Sequence, residues 1–415
     1  MIPHSWVVRA PVYSSSVISM PVEMLLLGGG ILQRRPDGQF VTKSAVAAYV
    51  NELATYFSPM TWATSVDCGS LILNTPLDES CVSLCPVGGT ARTLMADFRR
   101  LRRRNSLDTV ILLYMPSPWL ALSALALSRR CRGLFVYLAN DFIGHSQEAR
   151  TSRGWLYSLL YRKLHELVIY CAKGVIARGA RLKSIACGLN PNVIETVPIA
   201  LRPEIYQTPH SATERQRNSC CMLYVGKLKP EKGVDVLINS IAILRDHFHK
   251  RNLKVCIVGS GSARSMLERQ VVSLGLGDTV RFLGYIDNPK RLAELYMESD
   301  VVVVPSVYPE GAPRVIDEAL NCGVPVVASA IGGIPAEYAN RVLLVPPGDV
   351  DALAQGIVQI LEDEKLRDQM RSANYGKVST SQISPARQHA EFIRKTLERE
   401  AIGNVFSQGP RRGVL

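Results

Sequence analysis

At 415 residues the chain exceeds what one hydrophobic core ordinarily organises, and two domains is the simplest count. With 47% hydrophobic and 20% charged residues, it is excluded from the globally disordered class and fits a globular α/β protein. The formal charge of +12 is unevenly placed: Ala91 to Asn190 hold 17 Lys/Arg against 5 Asp/Glu, a local net of +12. The first half therefore carries the basic excess, which attracts anionic lipid, nucleic acid or polyanionic substrate.

Residues 1 to about 20 lack a period and read as a frayed start. Met24 to Leu27 form an apolar strand with a glycine-rich exit, Gly28 to Gly30, and Lys43 to Phe57 then show helical spacing. Arg99, Arg100, Arg102, Arg103 and Arg104 make a basic helix face, either solvated or resting on an anionic surface. Strands are predicted at Thr109 to Tyr114, Leu134 to Leu138, Gly174 to Ala177 and Ile194 to Val197, with helices between them. The apolar run Pro118 to Ser128 is too short to span a bilayer and reads as a buried helix, with a membrane-resting segment as the other reading. Ten cysteines form no CxxC pair or His/Cys metal spacing, and no signal peptide precedes them, so they read as reduced residues of a cytoplasmic chain.

The polar stretch 207–218 breaks the pattern and reads as a linker between a first domain, 1–206, and a second, 219–384. In the second domain strands are predicted at Cys221 to Val225, Lys254 to Val258, Val280 to Leu283, Val301 to Val304, Val324 to Ala328 and Val342 to Val345. Helices fill the connections at Gly233 to Phe248, Ala263 to Leu274, Pro289 to Met297 and Pro313 to Asn321. A terminal helix over 385–400 is free to dock on either domain, and 401–415 reads as a mobile tail. Such alternation predicts two doubly wound parallel sheets, and ligands bind such sheets at the carboxyl ends of the strands.

The stretch PSVYPEGAPRVIDE follows the valine strand. Pro313 suits a first helical turn, so the helix mouth with its free N–H groups faces the carboxyl edge and fits a phosphate. Gly311 and Ala312 allow close approach of a ligand to the backbone. Glu310 and Glu318 accept hydrogen bonds from hydroxyls, which points to a sugar nucleotide rather than a bare phosphate. In VGKLKPEKGVD, Lys227 and Lys232 leave a strand end and can neutralise a diphosphate. Gly259-Ser260-Gly261-Ser262 lacks the third glycine of a dinucleotide fingerprint, and neither glycine loop is a P-loop.

VGKLKPEKGVD, VGSGSARSMLE and PEGAPRVIDEALNCGVPVVAS with Gly332-Gly333-Ile334-Pro335 together resemble the nucleotide-sugar domain of retaining GT-B glycosyltransferases of family 4, glycosyl transferases group 1. The resemblance runs from about Cys220 to Ala354 and implies two Rossmann-like domains facing a central cleft. It further implies transfer of a sugar from a nucleoside-diphosphate sugar to a glycan or lipid-linked acceptor with retention, without metal or cofactor and without nucleic acid as partner. By position, Glu310 would hold the donor sugar, Glu318 the ribose, and Lys227 with Lys232 the diphosphate, where the family usually has arginine for Lys227. Gly226, Gly259 and the backbone of Gly311, Ala312, Pro313 and Arg314 complete the donor side. Gly38, with Gly28 to Gly30, resembles the family's phosphate-facing glycine loop. Asp141, or its neighbour His145, is the acceptor-side candidate. Glu337 stands one place beyond the glutamate that ordinarily follows the proline after the double glycine, and carries no assigned role. The setting expected is bacterial-type polysaccharide or glycolipid assembly, with the basic first half peripheral on the inner face of the membrane. Two other readings stay open: a sugar-nucleotide 2-epimerase of the same fold, and a non-catalytic subunit binding nucleotide sugar or lipid.

Overall fold

The computed structural model describes residues 22–35, 37, 39–67, 75–88, 90, 92–115, 117–139, 152–196, 219–247, 252–374 and 384–407. The proposed linker 207–218 lies outside them.

The first sheet is built on β1 (Glu23–Arg34), which pairs in parallel with β3 (Met60–Asp67) on one side and β6 (Thr109–Met115) on the other. Beyond β3 lies β5 (Val82–Pro86), and beyond β6 follow β7 (Gly133–Leu138), β8 (Gly174–Arg178) and β9 (Val193–Thr196), all parallel. Two short antiparallel strands, β2 (Phe40–Thr42) and β4 (Thr75–Pro76), continue from the far end of β1.

Alternate residues of β1 enter opposite cores, Met24 and Leu26 on one face and Leu25 and Leu27 on the other. That two-sided burial is why the strand is apolar without alternation. Helices α2 (Leu94–Arg103), α3 (Pro118–Ser128), α4 (Ser152–Cys171) and α5 (Ala180–Cys187) cover one face through Leu101, Ala124, Ile169 and Leu182. The buried-helix reading of Pro118 to Ser128 fits this placement, with Leu120, Ala121, Ala124 and Leu127 in the core.

Two expectations change here. Gly28 and Gly29 do not end the first strand; they lie inside β1 with φ of 80° and 90°, where the pairing register to β3 shifts. β3 and β5 were not foreseen. In β3, Thr61, Thr64 and Ser65 dilute the apolar run, and burial of Thr64 is tolerated because its hydroxyl donates to the Gly30 carbonyl at 2.5 Å.

The second sheet has the order β12-β11-β10-β13-β14-β15, all parallel, from β10 (Ser219–Val225), β11 (Asn252–Val258), β12 (Val280–Gly284), β13 (Val301–Val304), β14 (Val326–Ser329) and β15 (Leu343–Val345). Its helices are α6 (Val234–His247), α7 (Arg264–Ser273), α8 (Pro289–Met297), α9 (Arg314–Asn321), α10 (Ile334–Tyr338), α11 (Val350–Glu362) and α12 (Glu364–Asn374). Strand order reverses between β10 and β13, which makes the gap at their carboxyl ends the switch point where such sheets take ligands.

The terminal helix α13 (Pro385–Ser407) runs past residue 400, so the first part of the expected tail is helical, and 408–415 lie outside the described residues. It packs on the first domain: Ala386, Ala390, Ile393 and Leu397 recur at helical spacing in the core beside α1 (Ser44–Tyr56). His389 is fully buried there, bonded to Tyr49 Oη at 2.8 Å and Thr196 Oγ1 at 2.9 Å. Burial drives its pKa down to about 3, so it is a neutral structural ring.

Candidate functional site

The two loops leaving β10 and β13 meet at the switch point. After β10 the chain runs through Gly226 and Lys227 into a single 3-10 turn, Pro230–Lys232, closed by Gly233 at φ 64°. A Cβ on Gly233 would stand 2.0 Å from the Pro305 carbonyl oxygen, so only glycine lets the turn lie against the start of the other loop. Val307 N–H donates to the Glu231 carbonyl at 3.1 Å and fastens the two. The result places Lys232 Nζ 2.6 Å from a Glu310 carboxylate oxygen, while Ser306 Oγ donates to the other oxygen.

A cavity of about 820 Å³ opens over this pair, lined by Gly226, Lys227, Lys232, Glu310 and the backbone from Gly311 to Arg314. The first turn of α9 points into it, with Pro313 as the residue preceding the helix. The positive end of the helix dipole adds to a wall that already carries Lys227 and Lys232.

Gly226, Lys227, Lys232, Glu310, Gly311, Ala312, Pro313 and Arg314 are thus brought together at one cavity. Gly259 sits behind it. Its φ is 144° and an added Cβ would lie 1.8 Å from the Gly226 carbonyl oxygen; Leu228 N–H also donates to the Ser260 carbonyl at 2.9 Å. The glycine loop after β11 is therefore a close-packed support for the lysine loop.

Glu318 is neither solvent-facing nor among the residues lining the cavity. It is 1% exposed, receives Tyr296 Oη–H at 2.7 Å, and pairs with Arg314 Nε at 2.7 Å. Gly38, Asp141 and His145 fall outside the described residues. Gly28 to Gly30 do not line the cavity; a Cβ on Gly29 would meet the Tyr114 ring at 3.0 Å, and the Gly28 carbonyl accepts from Trp62 Nε1 at 2.7 Å.

Two residues enter that sequence reading missed. Arg178, at the carboxyl end of β8, lines the cavity from the first domain; its Nη1 donates to the Ala139 carbonyl at 3.3 Å, while its buried Nε has no hydrogen-bond partner among the described residues. Lys43, just before α1, sets its ammonium 5.6 Å from the centre of the Tyr285 ring, which follows β12 in the second domain. Burial lowers the Lys43 pKa, and the nearby charges of Lys227 and Arg314 lower it further. Cations from both domains thus repel one another across the cleft, which an anion between them would relieve. The available signal was position alone, since Lys43 and Arg178 each stand at the junction of a strand end and a helix start, where ligands gather in this fold.

Behind α9, Tyr338 Oη donates to Asp317 at 2.8 Å, and burial pushes the Asp317 carboxyl up to about 6. Glu337, one residue before Tyr338, reaches the first domain instead: its Oε2 accepts from Ala180 N–H at 2.9 Å.

Residues 209–377 match the family described as glycosyl transferases group 1. An uncharacterized glycosyltransferase of Methanocaldococcus jannaschii is 39% identical over 150 residues, 35% of this chain and 37% of that protein. A D-inositol 3-phosphate glycosyltransferase of Corynebacterium efficiens is 35% identical over 172 residues, 38% of this chain and 40% of that protein. The chain thus spans less than half the length of these relatives. Among solved structures, Anabaena HepE in complex with UDP aligns over 92% of this chain and 100% of its own at TM-score 0.61 and 20% identity. Sucrose-phosphate synthase of Thermosynechococcus elongatus aligns over the same shares at TM-score 0.65 and 18% identity. Residues 209–377 are thus similar to the glycosyl transferases group 1 family, and the two facing doubly wound domains have the GT-B fold.

Proposed function

We propose that the chain is a glycosyltransferase that moves a sugar from a nucleoside-diphosphate sugar to an acceptor hydroxyl with retention at the anomeric carbon. The observation that carries this reading is Glu310 at the mouth of α9, held by Lys232 and Ser306 beside Lys227. As the anomeric C–O bond breaks, negative charge builds on the leaving diphosphate and the sugar becomes cationic. Lys227, Lys232 and the N–H groups of α9 meet the first charge without calling on a metal. Drawing Lys232 toward the diphosphate frees an oxygen of Glu310 to accept from sugar hydroxyls. The acceptor oxygen then attacks on the face the diphosphate leaves, and its proton passes to a departing phosphate oxygen. HepE, of the same fold, is described in complex with UDP-glucose, which supports a nucleotide-sugar donor.

Thermal melting with UDP-, GDP- and ADP-sugars tests the donor site, since a ligand held at 100 times its Kd stabilises the folded state by about 2.7 kcal/mol. One nucleotide series is expected to raise the Tm and to be consumed only when an acceptor is present. No shift with any series overturns the reading. Conversion of donor without acceptor reassigns the site to epimerisation.

For the acceptor side we propose a lipid-linked or glycan substrate approached at an anionic membrane surface, in polysaccharide or glycolipid assembly. Arg99, Arg100, Arg102, Arg103 and Arg104 are exposed on and just after α2. On the same face of the first sheet, α4 exposes Leu160, Leu167 and Tyr170. Among the described residues no helix is long and apolar enough to cross a membrane. Pelleting with liposomes is expected to increase with anionic lipid content and to fall as salt is raised. Pelleting indifferent to both removes the membrane from the proposal.

A further inference from the structure

Glu337 lies outside the cavity, yet the short segment that carries it touches three things at once. At its start, a Cβ on Gly332 would stand 2.2 Å from the Glu310 carbonyl oxygen, and Gly333 N–H donates to that same oxygen at 2.6 Å. In α10, Tyr338 holds Asp317 in the first turn of α9. Between them, Glu337 leaves its own domain and accepts from Ala180 N–H, the first residue of α5.

The receiving end has no cap of its own. The residue before α5 is Gly179, which has no side chain with which to cap the helix start. Gly179 adopts φ 83°, and a Cβ on it would meet Glu337 Oε1 at 2.8 Å. Burial and the charge of Glu195 raise the Glu337 pKa, opposed by the backbone of Ala180 and Arg181 and by the Arg341 charge. The position is thus shaped to admit a carboxylate from the other domain at the start of a helix.

We propose that Glu337 is a positioning residue that couples the seating of the first domain to the backbone of Glu310. When the domains meet, Glu337 caps α5, α10 is held from both sides, and the Gly332-Gly333 turn fixes the Glu310 carbonyl. When they part, the cap is lost and the turn is anchored from one side only. The activity arm of the test rests on the glycosyltransferase reading; the exchange arm does not.

Hydrogen–deuterium exchange on the full chain compares wild type, Glu337→Ala and Glu337→Gln. In the alanine variant uptake is expected to rise at least threefold both at 180–187 and at 306–314, with β13 unchanged and glutamine intermediate. Should alanine raise uptake everywhere, β13 included, the same comparison is made in the glutamine variant, which keeps an acceptor oxygen. In the transfer assay kcat is expected to fall about tenfold with the donor KM within twofold. Increased uptake confined to 180–187, or no increase at either segment, overturns the coupling. A protein that transfers no sugar but shows the paired exchange response overturns the functional reading and leaves this one standing.

Discussion

Glu310→Ala and Lys232→Ala are each expected to lower sugar transfer by about 10²–10³-fold, the usual scale for removing one preorganised polar contact at a developing charge. The two variants separate in binding. On the proposed reading Lys232 meets the diphosphate, so its loss is expected to weaken both nucleotide and nucleotide sugar. On the same reading Glu310 accepts from the sugar, so its loss is expected to leave nucleotide affinity within about threefold and to abolish the extra affinity of the nucleotide sugar, about the 1.5–3 kcal/mol of a charged hydrogen bond. Each substitution also strips its partner of an ion pair 2.6 Å long in which both side chains are mostly buried. Parallel melting curves therefore belong in the experiment. Calorimetric titration and initial rates give the readout; full activity in both variants would remove the site from catalysis.

The second large effect is expected at a glycine that touches no ligand. Gly332 has φ 63°, and its Cβ position lies 2.2 Å from the Glu310 carbonyl oxygen and 2.6 Å from the Glu310 nitrogen. Gly323 has φ 68° with nothing within 4 Å of its Cβ position. Alanine at either position carries the same left-handed strain, about 1 kcal/mol. Gly323→Ala is expected to lower the Tm by a few degrees at most and to leave the rate unchanged. Gly332→Ala is expected to displace the Glu310 backbone and lower the rate at least about 100-fold, since misplacement by 1 Å costs that much. The difference between the two isolates close packing from backbone strain. Equal rates in the two variants would mean that the double glycine does not position Glu310.

Much of the second domain is legible in the chain because each of its signals is local. The four valines of β13 are buried on both faces, Pro289 and Pro313 mark helix starts, and Asn288 caps α8 by accepting from Lys290 and Arg291 N–H groups. The first domain was harder to read because β3 mixes threonine and serine into a buried strand, and the shift of register within β1 mimics a loop. The contacts of Glu318 were hidden for another reason. Its place in the sequence shows a carboxylate on a helix, but the buried face of α9 and the neighbouring Tyr296 and Arg314 decide what it touches.

The sequence by itself determined the two α/β units, the helix mouth after β13, and the chemical character of Glu310, Lys227 and Lys232. These follow from periodicity, from φ restrictions at proline and glycine, and from side-chain charge, all set within a few residues of chain. Tertiary structure alone decided that Lys232 pairs with Glu310 across 78 positions of chain, that Gly332 lies against the Glu310 carbonyl, that Arg178 lines the cavity from the first domain, and that Lys43 and Glu337 reach the opposite domain. Those outcomes depend on which strand ends become neighbours at a switch point and on how two domains meet. Such long-range distances are fixed by packing of the whole core, and no local pattern of residues encodes them.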